Sequence, residues 1–286
     1  MMKYTIVQRV LFFLIFNFLT NSFYSQSLSE TLFLANSHYK NGNYRPALKE
    51  YQRYLFFSND QNATVYYNIG NCFHNMHFYD KAIEFFDKAF FSFKEDSLKY
   101  SAMYKKIDCY MRTNAYGIAL ADLLMIDDSV DINNYYIRQF YTAICYYGMA
   151  DFNNAEKYFI QCIDPKNISE RNTIKEIFKR KKKFFRPNPS AAWKYSMIMP
   201  GLGQFYSGDI RNGVNSLILT GALAYIGLII AINQNWWDAL VSIFPWFYRY
   251  YEGGYRRAEN IAIEKRAEKR NKIYKEIVDI VAETKL

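Results

Sequence analysis

Histidine and cysteine are the residue types of this 286-residue chain best suited to metal binding, and it has three and four of them. Cys72, His74 and His77 form the densest group. His74 falls on a predicted helix and His77 in the turn after it, so their side chains are not expected to converge. Because a closed metal site needs three or four converging ligands, we expect no metal and no cofactor.

Catalytic motifs are also missing from the sequence. It contains no Gly-x-Ser-x-Gly elbow, no phosphate-binding loop and no zinc-protease helix. The acidic pairs Glu95-Asp96 and Asp127-Asp128 lie at predicted hairpin ends, where carboxylates commonly cap helices. The sequence therefore predicts a protein that is not an enzyme.

A repeat of 35 to 37 residues organises the first half of the chain. Its markers are small residues at Ala47, Ala82, Ala119 and Ala155, each preceded by an aromatic residue at Tyr44, Tyr79, Tyr116 and Phe152. Apolar residues recur at intervals of three and four within each repeat, which predicts two amphipathic helices. A single hairpin cannot bury its apolar face, so stacked hairpins with a shared core are expected.

This pattern resembles the tetratricopeptide repeat over residues 28–165, which implies an all-α solenoid of about four helical hairpins. The resemblance also implies a concave groove lined by the first helix of each hairpin. The groove positions of the family correspond to Asn36, Tyr39, Lys40, Tyr67, Asn71, His74, Tyr104, Asp108, Arg112 and Tyr147. Such an aromatic and amide-rich set suits a peptide or a partner helix. The alternative is that several of these aromatics only bury against neighbouring repeats.

The cysteines follow the repeat. Cys72, Cys109 and Cys145 occupy matching places on the first helices, where a small residue packs. Equivalent helices of neighbouring repeats lie about 9–10 Å apart, too far for a disulfide. Pairing of Cys145 with Cys162, inside one hairpin, is left open.

The N-terminus has the features of a secretory signal peptide. Lys3 and Arg9 precede an apolar run from Val10 to Leu19, and small and polar residues follow it. We expect residues 1–25 to direct export, with cleavage after Ser25. An uncleaved signal anchor is the alternative.

The net charge of +9 is concentrated between Lys166 and Ser190, which hold nine Lys or Arg residues against two Glu. This basic helix or linker abuts apolar segments, so we expect contact with anionic lipid headgroups and not with nucleic acid. The residues of this prediction are Lys179, Arg180, Lys181, Lys182, Lys183 and Arg186. A solvated charged linker is the alternative.

Residues 191–255 contain two to three apolar segments, of which 214–232 is the best candidate span, and a charged helix is expected at 256–286. A motif precedes the span, with the residues Pro200, Gly201, Gly203, Gln204, Tyr206, Gly208 and Gly213. Over residues 189–265 the chain resembles bacterial membrane modules of unknown function. The glycines predict close helix packing and a membrane-embedded bend.

These features together predict a non-catalytic scaffold anchored in the bacterial inner membrane, with its repeats on the periplasmic side. Its partners would be a protein of an envelope complex and the lipid bilayer. The alternative hypothesis makes the glycine-rich module the active part, in lipid or solute handling or in membrane-protein insertion, with the repeats as a docking domain.

Overall fold

The computed structural model describes residues 27–58, 61–126 and 132–284, so the predicted signal peptide lies outside the described residues. Helices make up 84% of the described part, and it contains no strand. The fold is therefore all-α with tetratricopeptide-like hairpins, as predicted. The chain divides into two compact units, residues 1–127 and 128–286.

The first unit holds three helical hairpins. Its helices are α1 (Leu28–Lys40), α2 (Tyr44–Ser58), α3 (Ala63–Asn75), α4 (Tyr79–Ser92), α5 (Asp96–Arg112) and α6 (Tyr116–Leu124). Ser27 starts α1 with a capping box, in which its side chain accepts from the Glu30 amide and the Glu30 carboxylate accepts from the Ser27 amide. Local sequence thus sets where the first hairpin begins.

Small residues let the two helices of a hairpin cross closely. Ala35, Ala47 and Ala82 are fully buried. A Cβ added to Gly70 would lie 2.7 Å from the Phe86 ring, so this position has no room for a side chain. The repeat markers are therefore the helix-crossing positions of the fold.

Each hairpin turn contains one residue with positive φ, and an amide just after it donates back to the first helix. In the first and third hairpins these residues are Gly42 (φ 75°) and Asn114 (φ 60°). In the second hairpin it is His77 (φ 63°), followed by the Phe78 amide, which donates to the Phe73 carbonyl. The geometry of the helix end, and not the residue type, selects this position.

The second unit contains a fourth hairpin and the apolar half of the chain. Its helices are α7 (Ile132–Gly148), α8 (Phe152–Gln161), α9 (Ile168–Lys179), a 3₁₀ helix (Lys181–Phe185), α10 (Pro189–Ile198), α11 (Leu202–Tyr206), α12 (Ile210–Asn233), α13 (Trp236–Ser242) and α14 (Phe244–Glu283). The sequence grouped the fourth hairpin with the other three. In the structure its apolar face is covered by helices that follow it.

The longest helix, α14, extends over 40 residues, about 60 Å. The charged segment expected at 256–286 is the continuation of a helix that begins at Phe244. At its far end Ile277 and Val281 are fully buried, in one cluster with Phe159 and Phe178. One helix therefore connects the apolar segment to the last hairpin.

The helix α12 is long and apolar enough to cross a membrane, the one such helix among the described residues. Its 24 residues span about 36 Å. Only 6% of its most apolar window is buried, so it is not a core helix. The chain returns beside it through α13 and the start of α14, with Gly227 next to Ile243 and Gly254 next to Ser216.

Candidate functional site

Three contacts between neighbouring repeats line the groove side of the first unit. The Tyr39 hydroxyl bonds to Asn75, Tyr67 Oη lies 3.1 Å from Ser101 Oγ, and His74 Nε2 lies 2.6 Å from Asp108 Oδ2. Each contact joins the first helix of one hairpin to the first helix of the next. Part of the predicted groove set therefore holds the repeats in register.

Asp108 is the most connected of these residues. It also accepts a hydrogen bond from Arg112 Nε at 2.8 Å. Burial raises the pKa of Asp108, but the hydrogen bonds from His74 and Arg112 outweigh burial, and the net effect is a lowered pKa. The carboxylate is thus held in its charged form between two bases on adjacent repeats.

The remaining groove residues differ in what they can offer a partner. Lys40 and Arg112 are exposed, and Tyr104 is half-buried. Asn36 Oδ1 accepts from Tyr51 Oη at 2.6 Å, and Asn71 is only 7% exposed. The surface open to a partner is therefore edged by cations and aromatic rings, with the amides engaged inside the unit.

Tyr147 lies in the second unit and faces inward. It is 8% exposed, and its hydroxyl donates to the Arg270 carbonyl of α14 at 2.8 Å. Its ring lies 5.5 Å from that of Tyr274. The family's groove position in the fourth hairpin is thus filled by the chain's own C-terminal helix, and Tyr147 is not presented to an outside partner.

Arg270 of α14 is held where it meets the fourth hairpin. Its Nε donates to the Phe184 carbonyl at 3.0 Å, and its guanidinium lies over the rings of Phe152 and Phe185 at 5.3 and 5.4 Å. Burial lowers the pKa of Arg270. Sequence reasoning missed this residue, because a single Arg in a charged helix carries no signal of its partners.

Among the described residues no three His, Cys, Asp or Glu side chains converge on a metal site. His77 Nδ1 lies 2.9 Å from the Tyr79 hydroxyl instead. All four cysteines are free and buried, including Cys145 and Cys162, whose pairing the sequence left open. Burial raises the pKa of each thiol to about 12.

The glycine-rich motif joins four helices around one buried amide. Gln204 of α11 is fully buried; its Nε2 donates to the Gly254 carbonyl of α14 at 2.9 Å, and its Oε1 accepts from Ser196 Oγ of α10 at 2.8 Å. Ser196 Oγ in turn accepts from the Gly203 amide at 2.9 Å. Ser196 and Gly254 were not among the predicted motif residues, since nothing in the sequence marks which distant groups a buried amide will meet.

Three of the motif glycines are required by close contact. A Cβ on Gly203 would lie 1.9 Å from the Ala192 carbonyl oxygen, and one on Gly201 (φ 93°) would lie 2.4 Å from the Gly213 carbonyl oxygen. A Cβ on Gly213 would lie 2.5 Å from the Phe205 ring. Gly208 has positive φ (83°) but open space around it. These contacts leave no room for a side chain at Gly201, Gly203 or Gly213.

Tyr206 and Pro200 lie at the edges of this junction. The Tyr206 hydroxyl accepts from the Asn188 amide at 3.1 Å, which ties α11 to the start of α10. Pro200 follows the end of α10 and precedes the turn at Gly201. The motif is a helix junction with its polar groups bonded internally.

The basic run is folded onto the fourth hairpin. Phe184 is 2% exposed within the core there, and Lys181 Nζ lies 3.1 Å from Glu156 Oε2 of α8. Lys179 pairs with Glu176. The remaining members of the run, Arg180, Lys182, Lys183 and Arg186, are exposed. Sequence reasoning expected a basic helix or linker here, in contact with lipid headgroups, and it did not indicate that Phe184 packs in the fourth hairpin.

The tetratricopeptide repeat family model matches residues 63–90, which cover α3 and most of α4. No curated protein matches the chain. Solved structures that match include a TPR repeats protein from Bacteroides fragilis NCTC 9343, determined at 1.50 Å. It is 16% identical, the alignment covers 91% of this chain and 99% of that one, and the TM-score is 0.36. The hairpins and the family match support tetratricopeptide-type repeats in this chain, and such repeats generally mediate protein–protein interaction.

Proposed function

We propose that this protein is a membrane-anchored, non-catalytic scaffold that binds a protein partner through the groove of its first three hairpins. The observation that carries the proposal is the continuity of α14. This helix packs against α12 at Gly254 and ends in the core of the fourth hairpin at Ile277 and Val281. A repeat hairpin so attached is held at a fixed distance from its anchor, as a scaffold requires.

The anchor is the helical pair formed by α12 and the return through α13 and the start of α14. Exposed apolar side chains cover it, among them Ile218, Ile229, Ile232 and Trp246. Lipid is the solvent that suits such a surface. Removal of this apolar pair should release the protein from membranes under alkaline carbonate washing, whereas the full chain should stay bound.

The partner is proposed to be an extended peptide or an amphipathic helix with acidic side chains. Lys40 and Arg112 are the exposed cations among the predicted groove residues, and the rings of Tyr39 and Tyr79 lie beside them in sequence or in space. Charges at the edge of a groove steer and orient a partner, while aromatic rings supply contact area.

Photocrosslinking tests the groove. A benzophenone amino acid at Lys40 or Arg112 should give a discrete protein adduct in intact cells, and the same group at Lys49 or Lys88, exposed on the second helices, should not. Equal adducts from all four positions would show that the groove is not the binding surface.

The repeats are proposed to lie outside the cytoplasm of a bacterial cell, at the inner membrane. The chain enters and leaves the apolar pair at the same end, because Ser216 near the start of α12 lies next to Gly254 of α14. The fourth hairpin and the C-terminus are therefore on one side. The positive-inside rule favours the cytoplasm for these basic flanks, but the first apolar segment usually dominates orientation.

A reporter fusion tests this orientation. Alkaline phosphatase fused after Lys166 should be active; an inactive fusion of normal abundance would place the repeats in the cytoplasm.

The alternative, an active glycine-rich module, is less favoured by its contacts. The Gln204 amide is bonded to Ser196 and Gly254, and Ser207 Oγ donates to the Gly203 carbonyl at 2.8 Å. Side chains that are bonded to one another at a closely packed junction are not available to a substrate. We therefore assign the junction to the architecture of the anchor.

A further inference from the structure

Helix pairings within the second unit give the relative heights of its residues along α14. On α10, Trp193 lies at the level of Tyr255, with ring centroids 5.8 Å apart, and the Met197 carbonyl accepts from the Tyr251 hydroxyl. On α12, Ser216 lies at the level of Gly254. Both helices run antiparallel to α14, so positions on all three can be compared.

Three exposed cations from three different helices fall within a narrow band on this scale. They are Lys194 of α10, Arg211 of α12 and Arg257 of α14. Arg211 precedes Ser216 by five residues, about 8 Å of helix, so the band is about 8 Å deep. No ion pair within 4 Å involves these three side chains in the described part of the chain. We call Lys194, Arg211 and Arg257 the collar.

Carboxylates near the collar are already engaged. Asp209 accepts from the Asn212 amide at 3.0 Å and from the Asn212 side chain at 2.6 Å. Glu252 pairs with Arg256. Asp209 keeps its negative charge, because Asn212 is neutral, and the hydrogen bonds from Asn212, together with the nearby charge of Arg257, lower its pKa. The three cations of the collar outnumber this carboxylate, so the collar keeps a net positive charge.

The exposed surface turns mainly apolar beyond the collar, with Asn215 of α12 and Arg249 of α14 as exposed polar exceptions. At the end of α10 the exposed residues include Ile198 and Met199, and on α12 they include Val214, Asn215 and Ile218. Trp193, Tyr195 and Tyr206 lie at the same level as the collar or beside it. Cations and aromatic rings at the edge of an apolar surface are typical of the headgroup layer.

The basic run from Lys179 to Arg186 lies much farther along α14. Phe184 and Phe185 contact Arg270, which is thirteen residues beyond Arg257 of the collar, about 20 Å of helix. A tilt of about 20° leaves roughly 18 Å of this distance along the membrane normal. Attraction to anionic headgroups decays over a Debye length of about 8 Å at physiological salt. Lys182 and Lys183, next to Phe184, are therefore about two Debye lengths from the collar, whereas Arg186 is three residues before α10 and lies closer.

We propose that the collar, and not the basic run, binds the anionic headgroups of phospholipids such as phosphatidylglycerol. This inference rests on the membrane anchoring proposed above. The basic run then serves a different purpose: it stabilises the fourth hairpin, through the buried Phe184 and the ion pair between Lys181 and Glu156. Binding at the collar also sets the height at which α14 meets the fourth hairpin, at Arg270, at about 18 Å above the collar, by the helix rise of α14.

Depth labelling tests the geometry in the full chain. Single cysteines at Leu219, Ser190 and Lys182 would carry an environment-sensitive fluorophore, and the four native cysteines, at most 2% exposed, would stay unlabelled. In nanodiscs of phosphatidylcholine and phosphatidylglycerol, acyl-chain quenchers should act on the Leu219 label and headgroup quenchers on the Ser190 label. The Lys182 label should respond to neither.

Two results of the labelling experiment would overturn two different claims: that the collar binds the headgroups, and that the protein is anchored in the membrane. Quenching of the Lys182 label by headgroup quenchers, as strong as that at Ser190, would overturn the collar assignment while leaving the anchor intact. An unquenched Leu219 label would instead overturn the membrane anchoring itself.

Charge removal tests the chemistry. One variant carries Lys194→Gln, Arg211→Gln and Arg257→Gln, and its matched control carries Arg180→Gln, Lys182→Gln and Lys183→Gln, three exposed cations of the basic run. Spin-labelled lipids should show a preference of the wild type for phosphatidylglycerol over phosphatidylcholine of about threefold or more. The preference should fall to about one in the collar variant and persist in the control. The reverse pattern would overturn the proposal.

Discussion

Lys106 shows how a single charge holds the first unit together. It lies on α5, 2.7 Å from Asp87 of α4 and 3.0 Å from Asp122 of α6, and its side chain is 13% exposed. Burial lowers the pKa of Lys106, but the hydrogen bonds to both carboxylates outweigh burial, and the net effect is a raised pKa. The ammonium group therefore joins three helices.

We expect Lys106→Met to destabilise the first unit by about 3 kcal/mol, because Asp122 would be left buried without its cation. Amide hydrogen exchange of α4, α5 and α6 in the full chain measures this. Lys88→Met, which removes an exposed pair with Glu84, serves as control and should change stability by less than about 0.5 kcal/mol. Equal protection in both variants would contradict the prediction.

The lowered pKa of Asp108 predicts that the stability of the first unit depends on pH. Its pKa is lower in the folded chain than its ordinary value of 3.8, so the unfolded state binds a proton first as the pH falls. The stabilisation is complete above about pH 4 and is lost below it, as the pH passes through the folded pKa. Asp108→Asn should remove this part of the acid sensitivity, as measured by hydrogen exchange of α3 and α5 between about pH 3 and pH 6. An unchanged pH profile would contradict the assignment.

At the scale of elements, the junction of α10, α11, α12 and α14 depends on small residues. Gly203→Ala should destabilise the second unit by about 3 kcal/mol, because the new Cβ would overlap the Ala192 carbonyl oxygen of α10. Thermal unfolding in detergent measures the loss. Gly221→Ala on the open face of α12 is the matched control, with nothing within 4 Å, and should be neutral or slightly stabilising.

The end of α14 is a second element whose attachment can be tested. Ile277→Ala should weaken docking on the fourth hairpin by about 3 kcal/mol, because a fully buried side chain is truncated. Trypsin should then cleave faster after Lys269, Arg270 and Lys272. Lys275→Ala changes an exposed residue of the same helix and should leave the cleavage rate after these residues unchanged. Equal cleavage of the two variants would show that the end of α14 is not held there.

At the scale of the whole molecule, the two compact units are expected to unfold separately. Cys72 and Cys109 are buried in the first unit, and Cys145 and Cys162 in the second. Burial and a pKa raised to about 12 protect all four thiols while their unit is folded. Maleimide labelling along a urea series should modify the two pairs at different urea concentrations. Simultaneous labelling of all four would indicate one cooperative unit.

Sequence alone determined the local features of this protein. Apolar residues at intervals of three and four, with small residues at Ala47 and Ala82, specified the hairpins, since both depend on the geometry of one helix pair. The length and polarity of residues 214–232 specified the candidate span. The glycines of the motif predicted tight turns, because glycine adopts positive φ without strain. In the structure Gly201 and Gly208 have positive φ.

Only the tertiary structure decided which distant surfaces meet. Tyr147 has the sequence position of a groove residue, but it is covered by Arg270 and Tyr274, more than 120 residues away. Periodicity identifies an apolar face without identifying what covers it, because the pattern depends on the helix's own geometry and the cover comes from another part of the chain. The basic run is a second example. Its charges predicted contact with lipid headgroups, but only the structure shows that its Phe184 is buried in the fourth hairpin and so determines where the run packs.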